Sequence, residues 1–106
     1  MIQWTSITHT HTVEGVDLTT CEVYVSYSQH PVTITVPADE VVYYENDPEH
    51  GACSKVMVHL TQGQTGAFKN GQVGCQINWL THDGKRDAVK VKTYEMYKNL
   101  IPKVLE

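Results

Sequence analysis

The sequence predicts an all-β domain of about seven antiparallel strands packed as a two-sheet sandwich, with a small β-barrel as the alternative closure. Three observations predict it. Apolar residues alternate with polar ones in short segments spaced at roughly ten residues. The composition is rich in Val, Tyr, Ile and Thr and poor in Ala, which favours pleated sheet over helix. Turn-forming Gly, Pro, Asn and Asp fall between the segments, and no stretch of helix length carries a 3.6-residue apolar period.

Taken in order, Ile7, His9, His11 and Val13 alternate with Thr8, Thr10 and Thr12, so one face of the first strand carries two imidazoles. Cys21, Val23, Val25 and Tyr27 alternate with Glu22, Tyr24 and Ser26 in the second. Val32, Ile34 and Val36 alternate with Thr33 and Thr35, and Pro31 and Pro37 bound that strand because neither donates to a ladder. Val41–Tyr44 is a short apolar strand without alternation. Val56, Val58 and Leu60 alternate with Lys55, Met57 and His59, and Val73, Cys75, Ile77 and Trp79 with Gly74, Gln76 and Asn78. The last pattern places Val89, Val91 and Thr93 on one face and Lys90 and Lys92 on the other. This strand number and spacing suit an immunoglobulin-like sandwich.

The connections have their own chemistry. Asp83-Gly84 predicts a tight type I′ hairpin, which needs positive φ at both central residues. Asn70-Gly71 marks a turn ahead of Val73, and Asn46 to Gly51 form a polar turn. Gln64 to Asn70 has room for one helical turn around Phe68.

A chain of 106 residues is one domain with one core, residues 1–106, which buries about two-thirds of its extended surface. Met1-Ile2-Gln3-Trp4 has neither a basic start nor an apolar h-region, so no signal peptide is expected, and no apolar run reaches bilayer length. Cys21, Cys53 and Cys75 are odd in number and irregularly spaced, which predicts reduced thiols, with Cys21 and Cys75 as small core residues. Charge is unevenly divided. Residues 1–54 hold eight acidic and no basic residues, whereas residues 55–106 hold all eight Lys and Arg against four acids. The basic half has one Arg and no basic run with interleaved aromatics, so neither a nucleic-acid nor a membrane partner is expected.

Few residues point to chemistry. His9 and His11 share a strand face and are the best-spaced candidates for Zn²⁺ or Cu²⁺, but no further ligands are fixed by spacing, so no metal and no cofactor is expected. The acids of Glu45-Asn46-Asp47-Pro48-Glu49-His50 do not follow a calcium-loop pattern. No nucleophile elbow or phosphate loop is present, so the chain reads as a non-enzyme without catalytic residues. Binding candidates are better defined. Trp79 belongs to the core pattern, whereas Tyr43, Tyr44, Tyr94 and Tyr97 are the surface candidates, with one ring of the Tyr43-Tyr44 pair inward and the other outward. Residues 99–106 form an apolar tail in which Leu100, Ile101, Val104 and Leu105 flank Pro102, a candidate docking arm.

The opening Trp4-Thr5-Ser6-Ile7-Thr8-His9-Thr10-His11-Thr12 resembles that of the "RGTTPTHTF"-type small β-rich proteins of tailed bacteriophages and prophages. The likeness continues through Asp17-Leu18, Val23 to Gln29, Val58 to Gln62, Gln76 to Arg86 and Asn99-Leu100-Ile101. The opening here has no Arg-Gly and no Pro, and the acidic turn at 45–50 is particular to this chain. The resemblance implies a virion structural protein made in the bacterial host cytoplasm. An auxiliary head or capsid decoration protein is the first reading, and a neck or tail protein the alternative. Its partners would be other phage structural proteins and copies of itself in a symmetric array. From another class, exposed aromatics on a sheet suit a carbohydrate-binding module on the virion surface.

Overall fold

The computed structural model describes residues 1–105 and is all-β, with two antiparallel sheets. The strands are β1 (Ile7–Glu14), β2 (Glu22–Gln29), β3 (Val32–Pro37), β4 (Glu40–Asp47), β5 (Gly51–Leu60), β6 (Gly71–Leu80) and β7 (Arg86–Met96), with the short helix α1 (Gln62–Gly66) between β5 and β6. One sheet has the order β1-β5-β4 and the other β3-β2-β6-β7. If β1 is taken as strand B of an immunoglobulin domain, the sheets read B-E-D and C′-C-F-G, the variable-type order without its outermost strands. The closed-barrel alternative is corrected by this split into two sheets. Each keeps two edges, because the chain changes sheet at the β1–β2, β3–β4 and β5–β6 connections instead of continuing one ladder.

Period-two alternation does most of the work. Val13 of β1, Val23, Val25 and Tyr27 of β2, Val56, Val58 and Leu60 of β5, and Val73, Cys75, Ile77 and Trp79 of β6 all turn inward and form the core with Leu18, Phe68 and Met96. The two ends of the sandwich are plugged differently. At one, the β1–β2 loop sends Leu18 fully inside, held by buried Ser54, whose Oγ accepts from Leu18 N at 2.8 Å and donates to Val16 O at 2.7 Å. At the other, α1 begins with a capping box in which Thr61 and Gln64 satisfy each other's backbone N–H. Phe68 follows it into the core. The predicted helical turn therefore exists, but it starts at Gln62, ahead of Gln64, because Thr61 supplies the cap. Here Gly66 admits the Trp4 indole: a Cβ at this position would collide with the ring.

Two turn expectations are corrected. Between β6 and β7 the chain uses the five residues 81–85, in place of a two-residue turn at Asp83-Gly84. Thr81 organises this loop, its N–H donating to Lys85 O and its hydroxyl accepting from Lys85 N and donating to the Asp83 carboxylate, while Gly84 takes φ +86°. In the acidic stretch, β4 runs on to Asp47, whose carboxylate accepts from the N–H groups of Glu49 and His50 and pairs with Lys55 at 3.5 Å. Asp47 thus serves both a turn and an ion pair.

Candidate functional site

The most unusual interior feature is a polar cluster between the sheets, at the flank where β1 runs beside β7. The inward face of β1 carries His9 and His11, both buried, as the alternation with Ile7 and Val13 predicts. Opposite them Tyr27 projects from β2, and its hydroxyl lies 2.7 Å from His9 Nδ1 and 3.1 Å from His11 Nε2. A phenol has one proton to give, so Tyr27 donates to one imidazole and accepts from the N–H of the other. Cys75 of β6 joins at 3.7 Å from His11 Nε2. No buried side-chain N or O lacks a partner among the described residues.

The lid of this cluster is Tyr94, whose ring stacks on His9 at 4.4 Å and nearly parallel. That placement corrects the expectation of Tyr94 at the surface, and a β-bulge is the reason. The β6–β7 register runs Gln76↔Lys90 and then Cys75↔Lys92, so Val91 is an extra residue. A single inserted residue reverses the phase of everything beyond it. Thr93, expected inward, faces solvent, while Tyr94 and Met96 turn in and Lys92 lies on the inner side with its ammonium 5.0 Å from the Tyr94 ring. Tyr97 remains exposed.

The electrostatics follow from burial. His9 is pushed down to about 4, chiefly by loss of solvent, then by His11, the N-terminal ammonium and Lys92. His11 is lowered by burial and Lys92. Burial raises Tyr27, takes Cys75 up to about 11, and takes Tyr94 up to about 12. The cluster is thus a set of neutral groups at neutral pH, tuned for hydrogen bonding and against ionisation. The ring nitrogen nearest the thiol, His11 Nε2, is also engaged with Tyr27. Among the described residues, no group of three or more His, Cys, Asp or Glu side chains is arranged to hold a metal ion.

All three cysteines are free thiols. Cys75 lies in the core as expected and Cys21, half-buried, packs against it, while Cys53 is fully buried as well. By register Cys53 stands between Glu14 and Tyr44, away from the core face.

The surface candidates fall at separate places. Tyr43 is half-buried and Tyr44 exposed on β4, with the Lys55 ammonium 5.5 Å from the Tyr44 ring. The tail leaves β7 and is tied down by side-chain amides. Asn99 donates to Gln3 O, and Gln62 both donates to Leu105 O at 2.8 Å and accepts from Leu105 N at 2.7 Å. These bonds hold the backbone and leave the apolar side chains out. Leu100 is 93% exposed, and Ile101, Val104 and Leu105 are exposed too. Ile2 and Tyr97, joined by a parallel bridge and both exposed, lie at the same end of the molecule. Glu106 lies outside the described residues. Sequence reasoning missed the amide ties, because Gln62 meets Leu105 across most of the second half of the chain.

A third region is the outer face of the four-stranded sheet. A shallow concavity of about 440 Å³ is lined there by Tyr24, Ser26, Thr35, Asn78, Leu80 and Arg86, with Arg86 donating to Asn78 Oδ1. Comparison of the chain with protein-family models, curated proteins and solved structures finds no match.

Proposed function

We propose that this chain is a non-enzymatic structural protein of a tailed-phage particle, first an auxiliary head or capsid decoration protein, with a neck or tail position as the alternative. The observation that supports a docking role is the exposed apolar end formed by Leu100, Ile101, Val104 and Leu105 beside Ile2 and Tyr97. Apolar side chains of this size stay in water at a cost, and burying each against a partner is worth about 1.5–3 kcal/mol. Their backbone is already held by Gln62, Gln3 and Asn99, so little ordering entropy remains to be lost on docking. The particle reading itself comes from the sequence resemblance and from no feature of the site.

Quantitative mass spectrometry of purified particles tests it, the expected result being stoichiometric incorporation. Absence from particles sinks the reading. Deleting residues 100–106 should leave the domain folded and abolish incorporation. A truncated protein that loses thermal stability as an isolated chain would make the tail part of the fold. The second reading, a carbohydrate-binding module, draws on the Tyr24, Asn78 and Arg86 concavity, whose ring, amide and guanidinium suit sugar hydroxyls. Glycan-array binding lost in Tyr24→Ala would favour it.

A further inference from the structure

The charge division seen along the sequence becomes spatial in the fold. The acidic strand β4 and the basic strand β7 are both edge strands, in different sheets and on opposite flanks of the sandwich. β7 flanks β1, and β4 lies at the far side of the β1 sheet. From Asp39 to Glu49 the chain carries Asp39, Glu40, Glu45, Asp47 and Glu49 with no Lys or Arg. From Lys85 to Lys92 it carries Lys85, Arg86, Lys90 and Lys92 against Asp87 alone. Arg86 to Lys90 are all exposed, and most of β4 is exposed or half-exposed.

An edge strand is an unfinished ladder, and charge decides what may complete it. Like charges oppose β4 against β4 and β7 against β7, which disfavours the symmetric dimers most often built on sheet edges. The pairing left attractive is β4 of one copy with β7 of the next. The other edges are poorer templates: β3 is short and bounded by prolines, and β1 adjoins β7. The far end of β7 is already occupied, since Met1 N donates to Glu95 O and Gln3 N to Tyr97 O. The open stretch is therefore the basic one, Arg86 to Lys92, apart from the Ala88 N–H, which donates to Asp87 Oδ1 at 2.8 Å.

We infer that copies of this chain associate head to tail, the acidic β4 edge of one adding to the basic β7 edge of its neighbour. Backbone hydrogen bonds between the two edges supply the contact, and the opposite charges set its direction and partner. A heterologous contact of this kind closes into a ring or runs on as an open array according to the rotation between copies. The contact deepens the assembly reading above and rests on it for its setting, while its test needs only the purified chain.

Sedimentation of the full chain at about 10 mM and about 1 M salt separates the regimes in which charges act over about 30 Å and about 3 Å. Concentration-dependent oligomers at low salt that dissociate at high salt are expected. Reversing β4 with Glu40→Lys and Glu45→Lys, or β7 with Arg86→Glu and Lys90→Glu, should weaken self-association about tenfold or more. All four positions are exposed, so circular dichroism should show the fold kept. Mixing the two reversed proteins, one keeping its basic β7 and the other its acidic β4, should restore one native contact and yield co-assemblies that neither forms alone. A wild-type chain still monomeric at about 1 mM in low salt overturns the inference. So does association that ignores salt and both reversals, which would put the contact at the apolar end. Particle incorporation without self-association refutes the edge contact alone; self-association with absence from particles refutes only the phage reading.

Discussion

Acid should weaken this fold before its carboxylates titrate, through His9. The ordinary value of 6.5 falls to about 4 in the folded chain, with burial the main cause and the positive charge of His11, the N-terminus and Lys92 adding to it. A base whose folded value is depressed stabilises the fold fully above its unfolded value. That stability drains as pH falls below 6.5, because the unfolded chain takes up a proton that the folded one refuses, and the loss levels off near pH 4. Each pH unit between the two values is worth about 1.4 kcal/mol, so the full effect is about 3 kcal/mol. Between pH 7.5 and 5.0 His9 alone removes about 2 kcal/mol, a window in which Asp and Glu of ordinary acidity stay mostly ionised. That is a large share of the ~5–15 kcal/mol of a typical domain. Urea unfolding at the two pH values should show the midpoint falling by about 1 M at pH 5.0. The His9→Leu variant, whatever its absolute stability, should show a drop smaller by about 2 kcal/mol, with His11 still contributing. Equal pH slopes in the two proteins, or a His9 imidazole titrating near 6.5 by NMR in the native state, would refute the reasoning.

Tyr27→Phe removes the hydroxyl that serves both imidazoles and should cost about 2–4 kcal/mol in urea unfolding, since two buried ring nitrogens lose their shared partner. Gly66→Ala puts a methyl into the Trp4 indole and should cost about 1–3 kcal/mol, with a shifted Trp emission as the ring is displaced. At pH 8 the native Cys75 thiol should react with a disulfide reagent about a hundredfold more slowly than in the unfolded chain, from its smaller thiolate fraction alone. Half-buried Cys21 should react first.

Strands such as β2 and β6 were legible because each residue there has one of two environments, core or solvent, and a period of two records which. The pattern also put His9 and His11 on the core face. It failed where a single inserted residue, Val91, reverses the phase of β7, since nothing in Val-Lys-Val-Lys marks which residue lacks a cross-strand partner. The polar cluster was half legible for a related reason. Alternation turned His9, His11, Tyr27 and Cys75 inward, but which of them meet depends on how the sheets stack. The Asp83-Gly84 signal does not become a tight hairpin because Thr81, two residues earlier, caps a wider loop and satisfies the backbone that a tight turn would have left for the strands.

The place of the cluster in the fold explains why polar residues are kept in so small a core. In antibody domains a disulfide joins strands B and F across the sheets, and a tryptophan from strand C packs on it. The strands in those positions here are β1, β6 and β2, and they contribute His11, Cys75 and Tyr27, which meet across the same gap. A hydrogen-bonded bridge holds the sheets in register only while each member keeps its proton arrangement, because Tyr27 must donate to one imidazole and accept from the other. A bridge of this kind makes protonation, and not reduction, the domain's weak point. Added reductant should therefore leave the unfolding midpoint unchanged, since all three cysteines are already free thiols, while the same protein should respond steeply to acid. A midpoint that falls with reductant at constant pH would mean that a disulfide, and not the His–Tyr–Cys contact, joins the sheets.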